Sequence, residues 1–458
     1  MDKPVSPQGS ALDRVTDFAL GIRPDQVPAD TLARAALLAL DTIGVWAASA
    51  PMQAGRIARD TAVRFYGAGT SEDAARIGFD GRTASVVGAA FAAASQIDNL
   101  DAHDGYNPSK GHIGVAVVPA LFALAEAQPD LSGPEALAAL VVGYEVSGRA
   151  ATALHSTVSD YHTSGAWNAL GVAAMAARLR GQDPQTLRQA LGIAEYHGPR
   201  SQMMREIANP TMLHDGSGMG ALVGLSAAVM AEQGFDGAPA VTVESAEVAS
   251  HWADLGTIWQ TDLQYIKPYP TCRWAHAPID GARALASEFR ITHDQIAQIR
   301  ISTFANAAAL WPGMPETTSQ AQYSLPFVVA SYLVHGQVGL DQIDGAGLRD
   351  PDVARLVAAT EMIVDPRHEA RYPDHGRWAD VSITLQDGRV LQSGDMNASG
   401  GPEAPWGTDE IVKKYTALAS PVLGTERADT LCHAVLSLTG TNATVASVAD
   451  CLYVLPSA

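Results

Sequence analysis

The chain has 458 residues, room for two or three cores at roughly 150 residues per domain. Hydrophobic residues make up 47% and charged residues 17%, which excludes a disordered chain with too little apolar surface to offset its ordering entropy. Thirty basic against 49 acidic residues give a formal charge of -19, so the positive footprint that a phosphate backbone requires is missing and nucleic acid is excluded as a partner.

The N-terminal stretch MDKPVSPQGSALDRVTDF has no apolar h-region, so no signal peptide is expected. From about residue 11 to 237, Ala, Leu and Val recur at helical spacing. Asp30 is expected to cap one helix, Ser132 with Glu135 to form a capping box for another, and Asp183-Pro184 to open a third. The longest apolar run, 113–127, is short and interrupted by Pro119 and Glu126, so no membrane span is expected. The pattern changes near Ile266. Residues 298–304 and 381–394 alternate with the strand period, the latter around an Asp387-Gly388 hairpin turn. Helices are expected at 324–335 and, opened by Asp350-Pro351, at 350–360. After the Gly/Pro-rich NASGGPEAPWG, Thr408 is expected to cap a last helical run. The fold class is therefore mainly α with a smaller α+β domain. Residues 1–264 and 403–458 form a large helical domain interrupted by an α+β lid at 265–402.

Three cysteines, Cys272, Cys432 and Cys451, make neither a disulfide framework nor a zinc or iron-sulfur spacing, and suit a reducing cytoplasm. The GSGMG at 216–220 is not preceded by a strand, so it reads as close helix packing rather than a dinucleotide loop. P-loop, H-E-x-x-H and G-x-S-x-G motifs are absent, which leaves ordinary side chains to do the chemistry, with no cofactor and no metal expected. Polar clusters supply candidates: Asp98, Asp101 and His103 followed by Lys110 and His112; Tyr161-His162; Arg200 and Arg205; His214-Asp215; and Lys267 through Arg273 to His276 at the domain boundary, where pockets often form. Carboxylates beside an imidazole fix its tautomer and raise its basicity, as a general base requires. Converging Lys and Arg can bind carboxylates even on an acidic protein.

These clusters, with ALDTIGVWAA, HIGVAVVPAL, GYEVSGR, KPYPTCRWAH and AQYSLPF between and around them, resemble the MmgE/PrpD family of 2-methylcitrate dehydratase, cis-aconitate decarboxylase and iminodisuccinate epimerase. The resemblance spans nearly the whole chain and implies a helical domain plus an α+β lid, a homodimer, and cofactor-independent work on a small carboxylate. By this likeness the family's two histidines fall on His112 and His162, its acidic pair on Asp98 and Asp101, its lysine on Lys267 and its aromatic residue on Tyr323. Where relatives carry a lysine in T-K-x-x-H, this sequence has Thr211. The expected reaction is dehydration of a hydroxylated di- or tricarboxylate, or the reverse hydration. His112 and His162 serve as base and acid, Asp98 or Asp101 orients His112, and Arg200, Arg205, His214, Arg273 and His276 join Lys267 in binding substrate. A two-base epimerase and a catalytically inactive member are the alternatives. The basic residues near 200–205 and 267–273 are expected to converge.

Overall fold

Helices rich in alanine bury little area each and make a core only by stacking closely. The computed structural model describes residues 10–373 and 375–454. Its first part contains α1 (Ala11–Gly21), α2 (Ala29–Ser49), α3 (Gln53–Phe65), α4 (Val86–Asp98) and α5 (Gly114–Ala125). These are followed by α6 (Gly133–Thr157), α7 (Gly165–Leu179), α8 (Pro184–His197), α9 (Met203–Ala208) and α10 (Ser217–Glu232). A two-stranded antiparallel ribbon, β1 (Ala74–Arg76) and β2 (Thr83–Ser85), lies between α3 and α4. The buried helix α7 packs against α6, α8 and α10, and α10 also packs against α4. Glycines set these distances. A Cβ on Gly171 would lie 1.9 Å from Ser147 Oγ, and one on Gly220 would lie 2.8 Å from Gly165 Cα. GSGMG is thus a helix start: Gly216, with φ 66°, is the N-cap of α10, and the glycines after it face neighbouring backbone.

Ser132 and Asp183 accept backbone N–H bonds as N-caps, and Asp350 does the same for the helix that starts at Pro351. Three expected helix starts differ in detail. The α2 helix begins at Ala29 after Pro28, leaving Asp30 in its first turn. Glu135 does not close a capping box; its carboxylate is held by Arg178 at 2.7 Å instead. The last long helix is capped by Gly407, whose N–H donates to Glu410, and Thr408 is already helical. In addition, α2 is long and apolar enough to cross a membrane by length and composition, which the search for a single apolar run overlooked. Most of it is buried inside the protein, where it packs against the C-terminal helices.

The smaller unit comprises α11 (His276–Phe289), β3 (Ile296–Thr303), α12 (Leu325–His335), α13 (Pro351–Ala358) and β4 (Thr360–Val364), then β5 (Trp378–Leu385), β6 (Val390–Gln392) and β7 (Met396–Asn397). The sheet order is β4-β3-β5-β6, with β7 also on β5; β3 runs parallel to β4 and antiparallel to β5, with Ile301 opposite Val381. The alternation of β5 buries Ala379, Val381, Ile383 and Leu385 on one face, and α11 packs on that strand with α12 and α13 beyond it. The β5–β6 hairpin turns at Asp387-Gly388, where Gly388 takes a φ of 88° that suits glycine. Strand β4 follows directly after the helix expected at 350–360, which ends two residues early at Ala358.

The C-terminal helices α14 (Thr408–Leu423), α15 (Thr425–Leu436) and α16 (Ala446–Leu452) return to the first unit: α14 and α15 both pack on α2. Two crossings therefore join the units. At one, Gly105 and Tyr265 exchange backbone hydrogen bonds of 3.1 and 2.7 Å; beside it, Ile266 N–H donates to Gly400 O at 2.9 Å.

Candidate active site

The loop from α4 to α5 carries the first cluster into this crossing. Asp101 and Lys110 adopt left-handed φ of 54° and 58°, and His214, on the loop before α10, takes 46°. Such conformations cost a non-glycine residue of order 1–3 kcal/mol and persist only where the surroundings impose them. They bend the two loops around a buried cavity whose lining includes Asp101, His112 and Asp215 from the helical part, and Lys267, Arg273 and Tyr323 from the lid.

His112 is the centre of the arrangement. Its Nδ1 lies 2.6 Å from Asp104 O. A carbonyl only accepts, so Nδ1 carries the proton and Nε2 presents a lone pair. The neighbouring His103 ring stands edge-on at 4.5 Å, and its Nδ1 approaches the same carbonyl at 3.3 Å. Burial, followed by the charge of Lys267, holds both imidazoles well below their ordinary pKa, so both are neutral. The segment is fixed by Ser164 Oγ, which accepts from His112 N–H at 3.0 Å, and by Asn168 Nδ2, which donates to His112 O at 3.0 Å.

Asp215 faces the free nitrogen, its Oδ2 3.8 Å from His112 Nε2. Burial would raise this carboxyl, but the two donors of Ser164, at 2.6 and 3.0 Å, work against it and hold the group below its ordinary value. Asp104 behaves in the opposite way: burial raises it to about 7 despite hydrogen bonds from Tyr144 OH at 2.5 Å and Gly114 N at 3.0 Å. Asp101 forms an ion pair with the fully buried Lys267, whose ammonium also donates to Asp101 O at 2.9 Å.

Further cations complete the wall. Arg273 donates to Ser399 O and Ala398 O at 2.6 and 2.9 Å and stacks over Tyr265 at 4.3 Å, while its Nε has no hydrogen-bond partner among the described residues. Burial lowers its pKa to about 10, which leaves it charged near neutrality. Arg377 and Lys110 line the same cavity, with no carboxylate partner for either among the described residues. Burial pushes the phenols of Tyr161 and Tyr323 far above their usual range. Tyr161 gives its proton to Lys110 O, whereas Tyr323 OH has no hydrogen-bond partner among the described residues. Burial raises the Cys272 thiol to about 12, so it is no thiolate nucleophile.

The expected site is therefore brought together only in part: Asp101, His112, Lys267, Arg273 and Tyr323 meet. His162 does not line the cavity. It sits in an extended stretch bridged to Gln202, with its ring stacked on His155, and because successive side chains there point to opposite sides, Tyr161 faces the cavity instead. Asp98 lies behind the site; it accepts from Ser217 N–H at 3.0 Å and stands 3.5 Å from His103. Neither Asp98 nor Asp101 orients His112, a task done by Asp104 O and Asp215. His214 packs behind Tyr323 at 5.8 Å between ring centres. His276 is bonded to Thr271 O at 3.1 Å, outside the cavity lining. Arg200 lies in a separate surface cleft and Arg205 in an outer cleft, so the basic residues converge at 267–273 but not at 200–205. Arg377 and Lys110 take that place. His103, Tyr161 and Asp215 stand within the polar clusters read from the sequence but were given no role there, while Arg377 carries no motif signal.

The profile of the MmgE/PrpD N-terminal domain matches residues 13–253, and that of the MmgE/PrpD C-terminal domain matches residues 269–438. The chain belongs to the MmgE/PrpD family. A cis-aconitate decarboxylase-like protein, oryM, of Aspergillus oryzae is 26% identical over 94% of this chain and 95% of its own. The cis-aconitate decarboxylase of Homo sapiens is 26% identical over 76% of each chain, and that of Aspergillus terreus is 24% identical over 93% of this chain and 92% of its own. In this MmgE/PrpD chain the cavity is lined by residues of both matched regions, with Lys267 in the stretch that links them. At the position of the family lysine, Thr211 is exposed; its N–H and hydroxyl donate to the buried Glu206 carboxylate at 2.7 and 3.0 Å. This member thus uses the position to cap an acid rather than to bring a cation into the cavity.

Proposed function

We propose that the protein is a cofactor-independent lyase that removes water from a small hydroxylated di- or tricarboxylate, or adds it in reverse. The observation that carries this reading is the free Nε2 of a neutral His112, its proton locked on Nδ1 by Asp104 O, in a cavity whose cations outnumber its acids. Arg273, Arg377 and Lys110 bind substrate carboxylates. Nε2 takes the proton from the carbon next to a carboxylate, Asp215 balances the new imidazolium, and Lys267 stabilises the charge that builds on the carboxylate oxygens. The C–H electron pair forms the C=C bond as the C–O bond breaks. The leaving oxygen takes the Tyr323 proton and departs as water. Tyr323 replaces His162 as the acid in this scheme.

A second reading, decarboxylation, is favoured by the names of the relatives that cover 93–94% of the chain. It requires a group that gives a proton to carbon, a task that would fall to Tyr323, and this chain lacks the lysine that the resemblance expects, having Thr211 in its place, on which ground we place dehydration ahead. Proton NMR of purified protein with a panel of hydroxylated di- and tricarboxylates and their unsaturated counterparts tests the choice. An alkene signal formed without carbon dioxide supports dehydration, and carbon dioxide release from an unsaturated tricarboxylate supports the second reading. Deuterium uptake from D₂O with no alkene identifies an epimerase. Carboxylates that raise the melting temperature yet never react would leave the inactive reading. We further read the protein as a cytoplasmic homodimer, its association to be measured by sedimentation.

A further inference from the structure

The cavity is narrow, and an outer cleft adjoins it on the surface side: Lys110 and Tyr161 line both. The outer cleft continues past Gln202, Arg205 and Asn209, where the exposed face of α9 borders it, while Met203 and Ile207 on the other face of α9 line the catalytic cavity. Most arginines of this acidic chain are neutralised: Arg59, Arg82, Arg178, Arg188, Arg300 and Arg367 all form ion pairs. Arg205 is exposed and has no carboxylate partner among the described residues. Among the described residues that line the outer cleft the acid is Asp160, which accepts a hydrogen bond from Gln202 at 3.2 Å. Among the described residues the lining of this cleft holds two cations and one acid, in a chain whose formal charge is -19, so an approaching polyanion meets attraction here instead of repulsion.

We infer that this outer cleft is the entry vestibule and that Arg205 steers polycarboxylates into the catalytic cavity without holding them in the reacting position. The inference rests on the carboxylate reading above and gives Arg205 a role in the rate of arrival rather than in the bound state. Focused fields of this kind change association rates about 10- to 1000-fold and fade as salt shortens the Debye length.

The test uses propane-1,2,3-tricarboxylate, which has no hydroxyl to lose. Its binding is followed by stopped-flow tryptophan fluorescence, with Trp274 in the cavity wall as reporter. At low salt, Arg205→Glu is expected to slow association about tenfold or more, with Arg205→Gln in between. Dissociation should stay unchanged, and the difference should vanish at roughly 0.5 M salt. Arg23→Glu makes the same change in net charge at a residue lining neither cleft and should leave both rates alone. Unaltered association in Arg205→Glu, or equal slowing in Arg23→Glu, would overturn the steering role while the carboxylate reading stands. Faster dissociation in Arg205→Glu would make Arg205 a binding residue and overturn it as well. A wild-type protein that does not bind the probe would refute the carboxylate reading, and the inference with it.

Discussion

The carbonyl of Asp104 fixes the protonation of two imidazoles at once. It holds a proton on Nδ1 of His112 at 2.6 Å and faces Nδ1 of His103 at 3.3 Å, so the lone pair of Nε2 is available before any ligand arrives. Replacing His112 by Ala removes the base while its neighbours remain, and should lower turnover about 10² to 10⁴-fold with an unchanged circular dichroism spectrum. Near-normal turnover in that folded variant would remove His112 from the mechanism. The sequence located the right segments but not always the right side chain. In 161–162 and 214–215 the chain passes the cavity in irregular backbone, and which of two adjacent polar residues faces inward depends on φ and ψ set by distant packing. Tyr161 instead of His162, and Asp215 instead of His214, follow from that. Arg377 was invisible for another reason: it arrives through the chain reversal before β5, and nothing near it in sequence is chemically distinctive.

Among the elements, α7 links packing to chemistry. Its first turns bring Asn168 to the His112 carbonyl, with Ser164 just ahead of the helix, while its middle presses against α6 through Gly171. Gly171→Ala must push the helices apart, since its Cβ would fall 2.5 Å from Gly143 O as well as on Ser147. A cost of about 1–3 kcal/mol is expected, read as a lower calorimetric melting temperature. An unchanged melting temperature would show that this contact gives way freely. Periodicity made the element types legible: the alternation of β5 and the Asp387-Gly388 turn were readable because one face of the hairpin is buried and a glycine-compatible turn closes it. Helix starts were less so. At Asp30 and Thr408 a good capping residue stands one or two positions inside a helix that Pro28 or Gly407 begins, because the backbone entering the helix, rather than the side chain's capping tendency, set the boundary.

For the whole molecule, burial of ionisable groups sets the response to acid. His103, His112, His214 and His276 have folded-state pKa values below their unfolded ones, and burial lowers His155 to about 4. Their contribution is complete above about pH 6.5 and is lost as pH falls, because the unfolded chain then binds more protons. Asp104 and Glu206, raised by burial to about 7, act with the opposite sign: they stabilise fully below about pH 4 and lose that contribution as pH rises through about 7. The two slopes oppose each other between about pH 4 and 6.5; below that window the histidines still titrate, joined by carboxylates held below their ordinary value such as Asp215 and Asp80, and both lose stability as pH falls. Urea unfolding should therefore change little between about pH 7 and 5.5 and weaken steeply by about pH 3.5. His276→Gln should make the acid loss shallower. A decline that was equally steep from pH 7 downward would contradict this balance.

The hydrogen bond from Ile266 to Gly400 gives the molecule a modular grammar. The chain leaves the helical body and rejoins it at nearly the same point, so the lid is a detour and not a link in the path of the body. Residues between these two points can be lengthened, shortened or exchanged without rerouting α2 or α14, and each doubling of the detour's length adds only about 0.6 kcal/mol of closure entropy. His112 and Asp215 stay with the body, whereas Lys267, Arg273, Tyr323 and Arg377 travel with the detour. A scaffold built this way can recast the cationic side of its cavity by editing one contiguous stretch of sequence while His112 and Asp215 are inherited untouched.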